Sequence, residues 1–372
     1  MVVDVSEMHH IMIQCWKDVY ALYRDEQEPA WAAFADRYGH LFPELPMPQL
    51  EPITANDLLT YFNHRGWNKS SGLDGWRTGE VKDLPASICH FAAATLNVCE
   101  AQGSWPESFC FLAQPALAKG TGEGPMDCRL LGLESVWLAA WSTIRFRQLE
   151  EWRQQWLLPQ QMGAVRGKGI WDVTWPLQLW LEERAYVGAP AAGIMLDRTK
   201  CFDRIAHQII FGLQEAHRCP TSITRLRRDH YERVQRTIKL NNTFGPLWTG
   251  TNAVTQGNVF SIDDISMLMS IWIRSHLTRI PRALVATFLD DSNVASESIS
   301  DLEVSIDITM EFDLATDQRV NADKTAGWAN NAEDAARLGA LLIYDQRVPI
   351  VGGTPPRRRL CPCRGGGVAG PG

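Results

Sequence analysis

The stretch Phe-Leu-Asp-Asp at 288–291 sets two aspartates side by side, Asp290 and Asp291, at the end of an apolar run. Carboxylates that close repel, and one pKa rises unless a cation sits between them. A hard divalent cation such as Mg²⁺ takes oxygen ligands, so the pair suits a metal. The alternative is a tight turn, where Asp is common. A second acidic position closes another apolar run: "AGIMLDRTKCFD" ends its hydrophobic residues at Asp197 and repeats the acid at Asp203. A carboxylate where a buried strand reaches the surface can hold a metal facing a cleft, or can cap a helix. If the strands carrying Asp197 and Asp290 are neighbours in one sheet, three carboxylates converge at its end. Two ions held there, about 3.5–4 Å apart, can clamp the attacking and leaving oxygens of a phosphoryl transfer. A further pair, Asp263 and Asp264, falls inside a helical pattern away from any strand end and reads as a solvated face. No HExxH spacing, Walker-type loop or GxGxxG occurs.

The elements that must place these residues follow from hydrophobic spacing. Residues 6–38 read as one or two amphipathic helices broken at Pro29, and four prolines in 40–52 mark a linker. A short helix over 54–64, capped by Thr54 or Asn56, precedes a Gly- and charge-rich loop at 68–85 and an apolar stretch at 86–100. Residues 133–157 form one long helical pattern. "AGIML" (192–196) is the continuous apolar run of a buried strand. Ile205, Ile209, Leu213 and Ala216 then fall at helical spacing, and 260–277 reads as a helix with Ile262, Ile265, Met269 and Trp272 on one face. Residues 282–298 read as strand, tight turn, strand. Ser300 and Glu303 make a capping-box pattern opening a helix striped by Leu302, Ile306, Met310 and Leu314. The pattern predicts an α+β fold. From 345 Gly, Pro and Arg dominate without apolar periodicity, which predicts a disordered tail; its Cys361 and Cys363 are too few to make a metal site.

In chain order "LDRTKCFD", "TQGNVFS" and "FLDD" resemble motifs A, B and C of reverse transcriptases, in the variety found in non-LTR retrotransposons. Asp197, Cys201, Phe202 and Asp203 follow that family's Asp-x-x-x-Ala-Phe-Asp with Cys for Ala. Upstream, "KSSGLDGW" (69–76), "LAKGTGEGPMDCRLLGL" (117–133) and "PQQMGAVRGKG" (159–169) are similar to the family's fingers elements, and "LATDQRVNADKT" (314–325) is similar to motif D. The resemblance covers residues 60–330. It implies a right-hand polymerase: fingers and palm, with an antiparallel palm sheet packed on helices. The implied activity is RNA-directed DNA synthesis, extending a DNA primer with dNTPs on an RNA template. Asp197, Asp290 and Asp291 would then be the catalytic and metal-binding residues for two Mg²⁺ ions, with Mn²⁺ as a substitute. Lys119 and Arg129 would contact the triphosphate, Phe202 the sugar, and Gln256 and Gly257 the templating pair; Lys324 would protonate pyrophosphate. Lys69, Arg166, Arg225, Arg227 and Arg228 are the candidates for nucleic-acid contact. The implied divisions are an acidic helical segment with its Pro-rich linker (1–60), fingers (61–185), palm (186–335) and a degenerate tail (336–372).

Three departures stand out. Motif B lacks its usual proline, Arg198 directly follows the first acid where a smaller or apolar residue is commoner, and Leu130 rather than proline follows Arg129. The thumb is expected to be largely missing. Two other readings therefore stand beside the polymerase: a catalytically inactive retroelement remnant that keeps the fold and nucleic-acid binding, and a protein-binding or assembly module using the N-terminal segment.

Composition bounds these readings. At 372 residues and 45% hydrophobic the chain has material for a sizeable core. Residues 1–60 hold three Lys/Arg and ten Asp/Glu, which accounts for the whole net charge of −7 and leaves 33 of each sign downstream. No apolar run approaches the ~18–20 residues of a membrane span, and the start lacks a signal peptide's features. Seven scattered cysteines suit a reducing compartment. The expectation is an intracellular protein, nuclear or cytoplasmic, with no membrane partner.

Overall fold

The computed structural model describes residues 4–120 and 124–344; the Gly/Pro/Arg tail with Cys361 and Cys363 lies outside the described residues. The chain opens with helices α1 (Val5–Tyr20), α2 (Trp31–Tyr38), α3 (Ala55–Asn63), α4 (Thr78–Lys82) and α5 (Ala86–Gln102). Strands β1 (Phe111–Ala118) and β2 (Cys128–Leu130) follow, then α6 (Val136–Gln148), α7 (Glu150–Trp156) and α8 (Ile170–Val187). Next come β3 (Ala192–Leu196), α9 (Cys201–Arg204), α10 (His207–Ala216), α11 (Thr221–Arg233), β4 (Gln235–Leu240), β5 (Thr243–Phe244) and α12 (Phe260–Arg279). The hairpin β6 (Leu284–Phe288) and β7 (Asp291–Ser296), then α13 (Ile299–Thr316), β8 (Ala326–Ala329) and α14 (Ala332–Tyr344), complete an α+β fold. Among the described residues no helix is long and apolar enough to cross a membrane.

The chain divides into two compact units. The first holds residues up to 158, with 200–271 and 315–318; the second holds 159–199, 272–314 and the chain from 319.

In the first unit a sheet runs in the order β2-β1-β4-β5, with β1 parallel to β4 and the other pairs antiparallel. Asp4 caps α1 by accepting from the Ser6 amide, and the helix lays Met12, Ile13, Trp16 and Tyr20 on a core with Leu130, Ile238, Trp248 and Ala253. Burying a side chain of that size stabilises by roughly 1.5–3 kcal/mol. Thr54, one of the two caps the sequence offers, opens α3 through a reciprocal box with Asp57. The helical pattern at 133–157 is two helices, not one. Leu149 leaves helical geometry between α6 and α7, and the break turns Trp152 and Trp156 inward, where Trp152 Nε1 donates to the His217 carbonyl (2.9 Å).

Helix α12 corrects two expectations. Every residue from 263 to 273 is buried, so the helix has no solvated face. A helix buried on every side must partner its polar side chains inside the protein. Asp263 and Asp264 are therefore buried, and each is matched by an arginine. Asp264 accepts from Arg227 Nη1 (3.0 Å) and Nη2 (2.5 Å) and from Gln214 Nε2 (2.8 Å); Asp263 accepts from Arg153 Nε (2.7 Å). Pairing of this kind offsets much of the cost of burying a charge.

In the second unit β6-β7-β3-β8 form a wholly antiparallel sheet. Leu302 and Ile306 on α13 are buried as expected, but Met310 and Leu314 are exposed, Leu314 by 83%, and Phe312 lies in the core instead. Strict four-residue steps overshoot a helical turn by about 40° each, so a stripe spaced that way walks off the buried face. The helix starts at Ile299, and Glu303, expected to box with Ser300, accepts from Arg337 (2.8 Å).

Candidate active site

Asp197 directly follows β3, and Asp291 opens β7. Leu196 pairs with Ser292 across these antiparallel strands, so the register continued by one step sets Asp197 opposite Asp291. Phe288 pairs with Asp291, which leaves Leu289 and Asp290 as a two-residue turn, with Leu289 in the left-handed region at φ 59°. The three carboxylates thus come to one end of one sheet. Burial pushes the Asp290 carboxyl up to about 6, and the charges of Asp291 and Asp197 add to the rise while Arg198 opposes it. Lys324 Nζ lies 3.5 Å from Asp197 Oδ2 and is 66% exposed, a loose surface pair of little energetic weight. Among the described residues no three His, Cys, Asp or Glu side chains stand as a formed metal-binding group. The donor set itself fits a hard cation: all its ligands are carboxylate oxygens, and mutual repulsion already favours a proton on Asp290.

Neighbouring backbone fixes these positions. The Asp197 carbonyl accepts from the Asn321 amide (2.7 Å), and the Thr199 amide donates to the Arg319 carbonyl (2.8 Å). Arg198 turns inward: its buried guanidinium pairs with Asp313 and lies over Phe312 (5.6 Å) and Trp272 (5.9 Å). The element 159–169 runs beside β6, with the Met162 amide donating to the Thr287 carbonyl and the Thr287 amide to the Gln160 carbonyl, both at 2.9 Å. Arg166 is exposed on that element.

The remaining candidates lie in the first unit. Leu117 pairs with Arg129 across β1 and β2, and Lys119, two residues further, shares that face; both cations are exposed. Phe202 is half-buried on α9 beside the buried Asp203. Asp203 Oδ1 accepts from Tyr20 Oη and from Gln256 Nε2, both at 2.8 Å. Burial pushes its carboxyl up, and the Tyr20 hydrogen bond, Lys200 and Gln256 pull the other way. Arg236, 1% exposed, adds a buried cation 5.2 Å from the Tyr20 ring. Gly257 has φ 120°, and a Cβ there would fall 2.9 Å from the Gly132 carbonyl oxygen, so only glycine fits without strain. Lys200 Nζ donates to the Met126 carbonyl (3.1 Å); burial lowers its pKa, and the nearby Lys119 charge lowers it further.

The basic candidates separate. Lys69 is exposed, Arg228 donates to Glu215 (2.8 Å), and Arg225 donates to the Ala101 carbonyl near the end of α5 (2.7 Å). Arg227 is corrected: it is buried and forked onto Asp264, so its charge is spent inside the protein rather than on phosphate. Tyr20 and Lys200 were not singled out by sequence. Tyr20 continues the stripe of Met12 and Trp16, and nothing in that spacing separates it from an ordinary core residue.

An antiparallel sheet that gathers acids from a strand end and a hairpin turn, set among helices, defines a polymerase-type α+β domain. Residues 124–341 match the family model of the reverse transcriptase (RNA-dependent DNA polymerase), and the chain belongs to that family. A curated relative, the Transposon TX1 uncharacterized 149 kDa protein of Xenopus laevis, is 25% identical over 310 residues, covering 74% of this chain and 22% of that protein. The chain thus spans about a fifth of that relative's length. Its source agrees with the non-LTR type that the motifs resemble. Among solved structures, apo telomerase from Candida tropicalis truncated from its C-terminal domain is 14% identical with a TM-score of 0.46, covering 72% of this chain and 59% of that one. Telomerase from the same organism in complex with a TWJ fragment of telomeric RNA is 13% identical with a TM-score of 0.46, covering 67% of this chain and 46% of that one.

Proposed function

We propose that this chain is an RNA-directed DNA polymerase that extends a primer with dNTPs on an RNA template. The observation that carries the reading is the pairing of β3 with β7, whose register draws Asp197 towards Asp290 and Asp291. Two Mg²⁺ ions, or Mn²⁺, held by Asp197 and Asp290 with Asp291 beside them, would supply the Lewis acidity that phosphoryl transfer needs. The chain's own cations then bind and orient. Arg129 suits forked contact with phosphate oxygens and Lys119 adds a point charge. Phe202 excludes a 2′-hydroxyl, and Gln256 with Gly257 lets backbone approach the templating pair. Lys324 gives a proton to the leaving pyrophosphate. Lys69, Arg166, Arg225 and Arg228 are the proposed nucleic-acid contacts, with residues 61–185 as fingers and 186–335 as palm. An assembly role for the N-terminal segment is less well supported, because the apolar face of α1 is already buried in the first unit's core.

Primer extension by the purified chain on an RNA template tests the proposal. Incorporation should require Mg²⁺ or Mn²⁺ and should fall by more than about a hundredfold in Asp290→Asn. Unchanged activity in that variant would contradict the metal assignment. Template binding without extension in the wild type would favour the inactive remnant.

A further inference from the structure

Helix α1 precedes residues 124–341 and carries none of the proposed catalytic residues, yet it reaches three elements of the proposed nucleotide site. Tyr20 Oη donates to the same Asp203 oxygen that accepts from Gln256. Trp16 Nε1 donates to the Pro125 carbonyl (3.1 Å), in the segment between Lys119 and Arg129. The Trp16 ring also lies 4.0 Å from Lys200 Nζ, which in turn donates to the Met126 carbonyl (3.1 Å). At the end of the helix the Tyr20 carbonyl accepts from the Thr251 amide (2.7 Å). The Val19 carbonyl accepts from Asn252 Nδ2 (2.8 Å), which also donates to the Asp203 carbonyl (2.7 Å).

These contacts are not interchangeable with packing. Tyr20 is 2% exposed, so water cannot replace its hydroxyl on Asp203. A carboxylate that loses one of two donors at a buried oxygen can rotate, and the cost of the unmet acceptor favours that rotation. Gln256 donates its amide nitrogen to that oxygen, so the direction of its own carbonyl oxygen depends on Asp203 staying still. Trp16 acts alike on Lys200, whose ammonium is held between an indole face and a carbonyl.

We propose that α1 is a positioning element of the nucleotide site: Tyr20 fixes Gln256 through Asp203, and Trp16 fixes Lys200 and the Pro125 backbone ahead of Arg129. The proposal rests on the polymerase reading for its kinetic consequence but not for its structural one. Two measurements on the full chain keep these apart. Tyr20→Phe removes only the hydroxyl and should raise KM for the incoming dNTP by about tenfold, with kcat within about twofold, as expected for loss of one buried hydrogen bond. Independently of activity, hydrogen exchange should quicken at the Val254 and Thr255 amides, which bond to the Phe202 carbonyl and to Tyr231 Oη. Faster exchange in Tyr20→Phe, with a wild type that itself never extends primer, would uphold the clamp and overturn the polymerase reading. A lowered melting temperature with KM and exchange at these amides unmoved would overturn the clamp and leave Tyr20 an ordinary core residue. Trp16→Phe, which keeps a ring over Lys200 but loses the donor to Pro125, should raise KM in the same sense; an unchanged KM in both variants overturns the proposal.

Discussion

Gly163 lies so close to Leu289 that a Cβ built on the glycine would stand 2.4 Å from the Leu289 amide nitrogen. The turn carrying Asp290 is therefore backed by a residue with no side chain, on a segment hydrogen-bonded to β6 at Thr287. Gly163→Ala should push that turn away from its backing. We expect a stability loss of about 1–3 kcal/mol in urea unfolding, as for other overpacked sites. Primer extension should fall by about tenfold or more, since small misplacements at reacting groups are costly. Wild-type extension by this variant would show that the turn's position does not matter.

The Arg227–Asp264 pair is buried on both sides, with side chains 6% and 0% exposed. Asp264→Ala leaves the guanidinium buried without its partner and should cost about 3–5 kcal/mol. Adding Arg227→Met should recover much of that loss, because the unpaired charge goes with it. Denaturant midpoints of the two single variants and the double form the cycle; additive losses would mean the pair is not coupled.

On α13 the choice between two residues two apart is sharp. Phe312→Ala should destabilise by about 3–5 kcal/mol, because Phe312 is fully buried. Leu314→Ala should change stability by less than about 0.5 kcal/mol. Equal effects in thermal unfolding would contradict the assignment of the buried face.

His230 is buried with no hydrogen-bond partner on either ring nitrogen. Burial lowers its pKa from 6.5 to about 3, with the Arg236 and Arg227 charges adding to the fall. A depressed folded-state pKa means that the unfolded chain takes up the proton first. Above pH 6.5 the imidazole is neutral in both states and proton uptake costs the fold nothing; as pH falls from there towards 3, stability declines by about 1.4 kcal/mol per pH unit. His230→Leu should remove that slope and stabilise at neutral pH by about 1 kcal/mol, since two unmet polar atoms disappear. Unfolding of both proteins from pH 7 to 5 checks this; parallel curves would refute it.

The parts legible in sequence are those where a local pattern and a long-range role coincide. Asp197 and Asp290 were readable because each ends a continuous apolar run, and such runs became β3 and β6. Asp263 and Asp264 misled for the opposite reason. Their neutralising arginines sit at unremarkable helical positions elsewhere in the chain, and polarity along a helix says nothing of pairing in space. Arg227 misled in the same way, since a basic cluster reads alike whether it faces water or a buried acid. The break at Leu149 and the turn of α13 towards Phe312 both depend on where neighbouring elements leave room, which spacing alone does not encode. Tyr20 was invisible because its ring behaves as core while its hydroxyl serves Asp203.

The strand order has a consequence for synthesis of the chain. β3 sits between β7 and β8, and both are made after it; β3 ends at 196 and β7 begins at 291, 95 residues later. At ribosomal rates of 5–20 residues per second, the apolar "AGIML" waits about 5–20 s with both hydrogen-bonding edges bare. A bare, hydrophobic edge is a template for pairing with another chain. The arrangement that unites the acids therefore leaves the nascent β3 open to pairing with another chain until β7 is made.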